Sequence, residues 1–121
     1  MLTLEGCRQR RKRLWDRVDG TVEWIVIADP QHLVYLANYY QSPFIFRSTN
    51  GAALLVLGRD GSATLVCDNQ LKIYADEAFV DTVVAPTWYG GQTRAPGRRE
   101  KLVASALGQF KRCPGGSIGV E

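Results

Sequence analysis

A predicted β-hairpin is the feature that most constrains the fold of this chain. Residues 51–68 have the sequence GAALLVLGRDGSATLVCD, in which two apolar runs, 52–57 and 63–67, flank a short polar connection. The Asp60-Gly61 step supplies residue types that accept positive φ, so the connection predicts a tight turn. An unbroken apolar strand indicates cover on both of its faces. Residues 52–57 are therefore predicted to form a central strand with helices above and below.

The remaining periodicities predict an α/β fold. Apolar residues recur at helical spacing in several segments, and Asp29-Pro30 is a helix start signal. The predicted elements are a helix over 4–18, a strand over 21–28, a helix over 30–37, a helix over 69–79, a strand over 80–85, a helix over 98–110 and a strand starting at 117. Together they indicate a mixed β-sheet of about five or six strands flanked by helices.

Length and composition limit the possible classes of protein. The 121 residues suit a single domain, 1–121, and 45% of them are hydrophobic. No apolar run approaches the roughly 20 residues of a membrane span, and the N-terminus lacks the apolar core of a secretory signal. We therefore expect no membrane association and a cytoplasmic location. Cys7, Cys67 and Cys113 show no CxxC spacing and are predicted to be reduced, packed thiols.

The basic residues do not favour a nucleic-acid-binding protein. The net charge is only +3, and its main sources are the run 8–13 and the segment 94–101. Nucleic-acid-binding domains usually carry a stronger, more continuous basic excess. Because the apolar residues of the first helix occupy one stripe, residues 8–13 are predicted to lie mostly on its opposite, solvated face.

An aromatic segment, residues 38–50, is the first candidate for a functional site. Its sequence, NYYQSPFIFRSTN, combines Tyr39, Phe44 and Phe46 with Arg47. Exposed aromatic side chains are typical of interfaces and pocket walls, whereas the alternative is that these rings fold back onto the sheet edge. His32 is the only histidine, and without a neighbouring Cys, Asp or Glu cluster it is interpreted as a surface or core-edge residue.

No catalytic or metal-binding motif is found. The sequence lacks GxSxG, GxxxxGK[ST] and HExxH, and no Cys–His pair has a spacing that favours catalysis. The acidic residues Asp76, Glu77 and Asp81 lie on or beside one predicted helix, which does not form a metal site. These residues by themselves therefore predict a non-catalytic domain with no catalytic and no metal-ligating residue.

The order of elements resembles the N-terminal domain of the creatinase, prolidase and aminopeptidase P family of Xaa-Pro metallopeptidases. The resemblance covers essentially the whole chain. It is carried by Arg13-Leu14, the IVIADP sequence of residues 25–30, YLANY of 35–39, LLVL of 54–57 with Asp60-Gly61, LVCD of 65–68 and IGVE of 118–121. It implies a ribonuclease H-like mixed sheet.

The resemblance also implies an enzymatic parent protein. A second, pita-bread catalytic domain holding two divalent metal ions (Mn, Co or Zn) is expected to follow, and it is absent from these 121 residues. The parent would hydrolyse a proline-containing Xaa-Pro peptide, or a creatine-like C–N bond, with a metal-activated water. Both substrate classes stay open, as does a free-standing module that binds a small molecule or a protein.

In such proteins the N-terminal domain contributes oligomer contacts and shapes the substrate pocket. The implied partners are the protein's own catalytic domain and a second copy in a homodimer. We expect Phe44 and Phe46 to wall the substrate pocket of the neighbouring subunit, with Arg47 pairing with a substrate carboxylate. Tyr39 and His32 are weaker candidates for the same surface.

Overall fold

The computed structural model describes residues 2–40, 53–91, 97–110 and 117–121, and four helices and five strands lie within them. The helices are α1 (Leu4–Trp15), α2 (Pro30–Ala37), α3 (Lys72–Ala75) and α4 (Arg98–Phe110). The strands are β1 (Val22–Ile27), β2 (Leu54–Gly58), β3 (Ala63–Val66), β4 (Thr82–Val84) and β5 (Ser117–Val120). The predicted α/β class is confirmed.

The five strands form one mixed sheet in the order β4-β3-β2-β1-β5. β2 pairs antiparallel with both β1 and β3, while β4 and β5 run parallel to β3 and β1 at the two edges. The predicted hairpin is β2–β3, with Leu55 opposite Leu65. Its turn closes with a hydrogen bond from Gly58 N to Ser62 O at 2.9 Å, and Gly61 has the positive φ of 94°. The central position predicted for this strand is confirmed.

The two faces of the sheet are covered unequally. One face, here the broad face, presents Leu55, Leu57 and Leu65 to α1, α2 and the segment around α3, and forms the larger core cluster. The other, the narrow face, presents Val56 and Val66 to α4. Alternate residues of β2 therefore enter different cores, which explains why the strand is apolar throughout.

Local chemistry accounts for α2. The Asp29 carboxylate caps the helix by accepting a hydrogen bond from Gln31 N at 2.8 Å, and Pro30 occupies the first turn, where its missing N–H costs little. The helix ends at Asn38, which adopts the left-handed conformation at φ 53°. The predicted bounds, 30–37, are confirmed.

The helix predicted over residues 69–79 is wrong in length, because only Lys72–Ala75 is helical. The burial of its apolar side is nevertheless as predicted, since Leu71 and Ala75 lie in the core of the broad face. Past Ala78 the chain forms tertiary hydrogen bonds instead of local ones: Phe79 N donates to Ala37 O at 2.8 Å, and Asp81 N donates to Ala63 O at 2.9 Å. These bonds satisfy the backbone without a longer helix.

The prediction that residues 8–13 lie mostly on a solvated face is wrong for Arg11, which is buried. Its Nη1 donates to Leu36 O at 3.1 Å and to Phe79 O at 2.7 Å. Burial lowers the pKa of the guanidinium from its ordinary value. Arg11 therefore connects α1 to the C-terminal end of α2 and to the segment after α3, by satisfying carbonyl groups that are shielded from water.

The helix on the narrow face is anchored by a buried ion pair. Arg98, at the start of α4, contacts the carboxylate of Asp68, two residues after β3, and both side chains are almost fully buried. The other oxygen of Asp68 accepts hydrogen bonds from Gln70 N at 2.8 Å and Leu71 N at 3.2 Å. The Arg98 guanidinium also lies 4.4 Å from the ring centre of Trp88. A polar contact thus joins α4 to the sheet.

The described residues include two of the three cysteines. Cys7 and Cys67 are buried free thiols, as expected, and burial raises the pKa of Cys67 to about 11. Cys113 lies outside the described residues. No helix within the described parts of the chain is long and apolar enough to cross a membrane.

Candidate functional site

A cleft of about 600 Å³ opens on the broad face, between α1, α2 and the β1–β5 end of the sheet. We call it the α1–α2 cleft. Its apolar side chains come from α1 and the turn that follows it, from α2 and from β1. They are Leu14, Val18, Val22, Ile25, Ile27 and Leu36. β5 lines the cleft with Gly119, which lies against Val22 and Ile25. This volume and this largely apolar character are those of a binding site.

Three arginines form one rim of the cleft. Arg10 and Arg13 lie on successive turns of α1, and Arg17 lies in the turn that follows it. Arg10 is held by α2, because its Nε donates to Tyr35 O at 2.6 Å and its guanidinium lies 4.8 Å from the centre of the Tyr35 ring. Arg13 and Arg17 are exposed, and neither forms an ion pair with any of the described residues. Their charges are therefore available to a ligand.

The opposite rim is built by Glu121 and His32. One carboxylate oxygen of Glu121 accepts hydrogen bonds from Ala28 N at 2.9 Å and Asp29 N at 2.7 Å. The other oxygen contacts Nδ1 of His32. The residue that follows β5 is thus tied to the first turn of α2.

The contact between Glu121 and His32 sets the charge of this rim. The hydrogen bond and the negative charge of Glu121 raise the pKa of His32. Partial burial raises the pKa of Glu121, but the hydrogen bonds from Asp29 N, His32 and Ala28 N outweigh it and leave the pKa below its ordinary value. Glu121 is therefore ionised and already satisfied, so the open charge at the cleft is that of the arginines.

The chemistry of the cleft suits binding. An apolar floor beside guanidinium groups would accept a ligand with an apolar body and carboxylate groups, since arginine matches carboxylate geometry with two parallel hydrogen bonds. Within residues 2–40, 53–91, 97–110 and 117–121, no group of three or more His, Cys, Asp or Glu side chains could hold a metal ion.

The two weaker candidates for the substrate-pocket surface, His32 and Tyr39, lie in different environments. His32 is exposed at the cleft rim, in the first turn of α2. Tyr39 follows the C-terminal end of α2 and is 3% exposed in the core of the broad face, where burial raises the pKa of its hydroxyl. Phe44, Phe46 and Arg47 lie outside the described residues, so their role stays a prediction.

Sequence reasoning missed the main residues of the cleft. Arg13 belongs to the run predicted to lie mostly on a solvated face, and no role was predicted for Arg17, although both are adjacent in sequence to an apolar residue of the stripe, Leu14 and Val18. That adjacency is the signal that could have identified a basic border along an apolar stripe. The contact between Glu121 and His32 has no local signal, because 88 residues separate the two along the chain.

Comparisons with known proteins show the fold. Neither a protein-family model nor a curated protein sequence matches this chain. Among solved structures it is similar to the creatinase/prolidase-like N-terminal domain of a protein from Corynebacterium diphtheriae that is described as a metallopeptidase. That match has a TM-score of 0.52 at 16% identity, and covers 94% of this chain and 93% of the other.

A second solved structure, an aminopeptidase P (Xaa-Pro aminopeptidase) from Streptococcus thermophilus, matches with a TM-score of 0.48 at 11% identity. It covers 94% of this chain and 91% of that chain. At this level of identity, the first structure shows that the chain has the fold of a creatinase/prolidase-like N-terminal domain, and the resemblance seen in the sequence is confirmed as a resemblance of fold.

Proposed function

We propose that this chain is the non-catalytic N-terminal domain of a Xaa-Pro metallopeptidase, in which it contributes oligomer contacts and shapes the substrate pocket. One observation carries the proposal. The fold matches a creatinase/prolidase-like N-terminal domain over nearly the full length of both chains, so the likeness concerns a whole domain and not a shared motif. The proposal is a functional analogy built on fold, and activity provides its test.

The two divalent ions implied by the resemblance do not fit the described residues of this chain. The described parts contain no cluster of three or more potential ligands, and the one histidine is engaged with Glu121. We therefore assign the ions to the catalytic domain of the parent protein. No step of the hydrolysis is assigned to a side chain of this domain.

The role in pocket shaping is assigned to the segment 41–52, which contains Phe44, Phe46 and Arg47. Two described residues support it, because Tyr39 and Ala53, close to the two ends of the segment, are 3% and 4% exposed in the same core cluster. The described residues on either side of the segment therefore lie in the core of the broad face. We propose that the segment reaches the active site of a neighbouring subunit.

The first experiment is an assay of the full-length product of the gene. Hydrolysis of a Xaa-Pro dipeptide should depend on added manganese and be abolished by a chelator. Metal-dependent cleavage of creatine, with no cleavage of the dipeptide, would favour a creatinase-like amidinohydrolase instead. A product that is inert towards both substrates would overturn the enzymatic proposal.

Replacing Arg47 tests the pocket assignment in the same full-length enzyme. If Arg47 pairs with a substrate carboxylate, Arg47→Ala should raise KM about 10- to 100-fold, the equivalent of one charged hydrogen-bonded contact. The increase should be seen for a dipeptide with a free C-terminus and not for its C-terminal amide. Arg8→Ala, at an exposed arginine of α1, is the matched control. An unchanged KM for the free dipeptide would contradict the assignment.

A binding module is the second candidate function, and the α1–α2 cleft favours it. A preformed apolar cleft with a basic border can hold a ligand without any catalytic step. Ligand binding by a full-length product that cleaves neither substrate would support this candidate.

A further inference from the structure

We propose that the α1–α2 cleft is a binding site for a small carboxylic acid with an aliphatic body. This ligand class goes beyond the peptidase role, since no catalytic step is involved, and it rests on the second candidate function, the binding module. Three features of the cleft point to it. They are a recessed aliphatic floor, a strand glycine that leaves space beside that floor, and two arginines with open charges at the rim.

The floor of the cleft is aliphatic and recessed. Ile25 and Ile27 of β1 and Leu36 of α2 line it and are only 7%, 6% and 6% exposed. A broad protein surface could reach little of these side chains, whereas a narrow aliphatic chain could enter between the helices and the sheet. The volume of about 600 Å³ lies in the range of small-molecule sites, and the lining favours an apolar ligand body.

Gly119 of β5 leaves space beside this floor. It pairs with Ile25 of β1, so a side chain at position 119 would point to the broad face, on which the cleft opens. Neither backbone conformation nor packing requires glycine here, because its φ is not positive and an added Cβ would lie 3.5 Å from Val22 Cγ1, an ordinary contact. A glycine inside a strand often marks a place where a ligand approaches closely.

The rim supplies the charge for a carboxylate. Arg13 and Arg17 are exposed, and neither is part of an ion pair within the described ranges. The carboxylate of Glu121 does not neutralise them, since it accepts two backbone hydrogen bonds and contacts His32. A guanidinium binds a carboxylate through two parallel hydrogen bonds, so the ligand would place its headgroup at this rim and its body on the floor.

The probes are octanoate, octan-1-ol and octyl phosphate, tested against the full-length product of the gene by isothermal titration calorimetry below micelle-forming concentrations. We expect saturable, micromolar binding of octanoate that weakens with added salt, because the ion pair is exposed. Octan-1-ol has the same body without the charge and should bind at least tenfold more weakly. In the series decanoate, octanoate, hexanoate, binding should weaken about fourfold for each methylene removed from the floor.

Neutralising the rim tests the assignment of the headgroup. Arg13→Gln/Arg17→Gln should weaken octanoate binding at least tenfold and leave octan-1-ol binding unchanged. Arg8→Gln/Lys12→Gln is the matched control, since it also removes two charges, at exposed positions of α1 that line a different depression. The control should bind octanoate like the unmodified protein.

Filling the space at Gly119 tests the position of the aliphatic body. Gly119→Leu should weaken binding of octanoate and octan-1-ol alike, at least tenfold, while the fold is retained, because the added side chain has room in the cleft. Gly108→Leu is the matched control: it adds the same side chain on α4, where nothing lies within 4 Å of the added Cβ, and should not change binding. Circular dichroism checks each fold, and the exposed arginine pair decides the outcome if Gly119→Leu does not fold.

Several results would overturn the carboxylate site. They are no saturable binding of octanoate, equal binding of octanoate and octan-1-ol, binding of octyl phosphate alone, an equal loss in the Arg8/Lys12 control, or unchanged binding by a folded Gly119→Leu variant. Because binding is measured without hydrolysis, the two proposals fail separately. A product that cleaves the Xaa-Pro dipeptide but binds no octanoate would overturn only the carboxylate site, whereas an inert product that binds octanoate would overturn only the peptidase role.

Discussion

The broad and narrow faces of the sheet are stabilised in different ways. Among the described residues, fourteen form the buried cluster of the broad face and four form that of the narrow face. The broad face holds α1, α2 and the α3 segment by apolar burial. The narrow face buries fewer apolar side chains, although the rings of Trp24 and Phe110 form an edge-to-face contact with their centres 5.5 Å apart.

The narrow face compensates with a polar anchor. Two apolar residues of α4, Val103 and Leu107, are 49% and 51% exposed, so the helix buries only part of its apolar surface. The Asp68–Arg98 ion pair lies at its first turn. A helix that buries little apolar surface therefore depends on a specific polar contact. Removing one partner of a buried ion pair destabilises the fold, because the other charge stays buried.

The largest effect is expected from breaking the ion pair. Asp68→Ala should lower the free energy of unfolding by about 3–5 kcal/mol, because it leaves the Arg98 charge buried without its carboxylate. Urea unfolding, followed by tryptophan fluorescence and circular dichroism, measures this loss. A decrease below about 1 kcal/mol, typical of an exposed ion pair, would show that the pair is not the anchor of α4.

The double variant Asp68→Leu/Arg98→Met is the control for that experiment. With both charges replaced by apolar side chains, no charge remains buried and unpaired, so the loss should be smaller than that of Asp68→Ala. A double variant that is less stable than the single variant would mean that the pair's hydrogen bonds, and not its charge balance, hold the helix.

Equivalent truncations on the two faces sharpen the comparison. Leu55→Ala should cost about 3–5 kcal/mol, because Leu55 is 0% exposed in the larger cluster and its neighbours cannot close the cavity. Leu102→Ala should cost about 2–3 kcal/mol, because α4 packs on one side only and can shift toward the sheet. Both are measured by denaturant unfolding. Equal losses would show that the narrow core is as rigid as the broad one.

The smallest effect is expected at the cleft rim, where His32→Gln removes the contact with Glu121. The folded pKa of His32 is raised above its ordinary 6.5, so the histidine's contribution to stability is complete below that pH and is lost as the pH rises through the folded pKa. The pKa of Glu121 is lowered from 4.5, so its contribution is lost as the pH falls below that value.

The contact therefore stabilises the fold in the window between the lowered pKa of Glu121 and the raised pKa of His32. The stability difference between the unmodified protein and His32→Gln should be largest between the ordinary pKa values of 4.5 and 6.5, and should disappear as the pH rises through the raised pKa of His32. Urea unfolding across this pH range is the measurement. A difference that is independent of pH would contradict the assignment of the contact to a protonated histidine.

The sequence by itself determined the local elements. The apolar runs around Asp60-Gly61 predicted the hairpin and its central place, and Asp29-Pro30 predicted the start of α2, because turn and capping chemistry acts over a few residues. Helical periodicity predicted α1 and α4, and the order of motifs predicted the fold that the structure shows.

Only the tertiary structure decided the contacts between distant segments. The length of α3 was decided by hydrogen bonds from Phe79 and Asp81 to other elements, and the burial of Arg11 by carbonyl groups of two other segments. The cleft lies where α1 and α2 contact the β1–β5 end of the sheet. The contact between Glu121 and His32 forms part of its rim. Periodicity records which side of an element is apolar, whereas partners far apart in sequence are chosen by packing and by the need to satisfy buried polar groups.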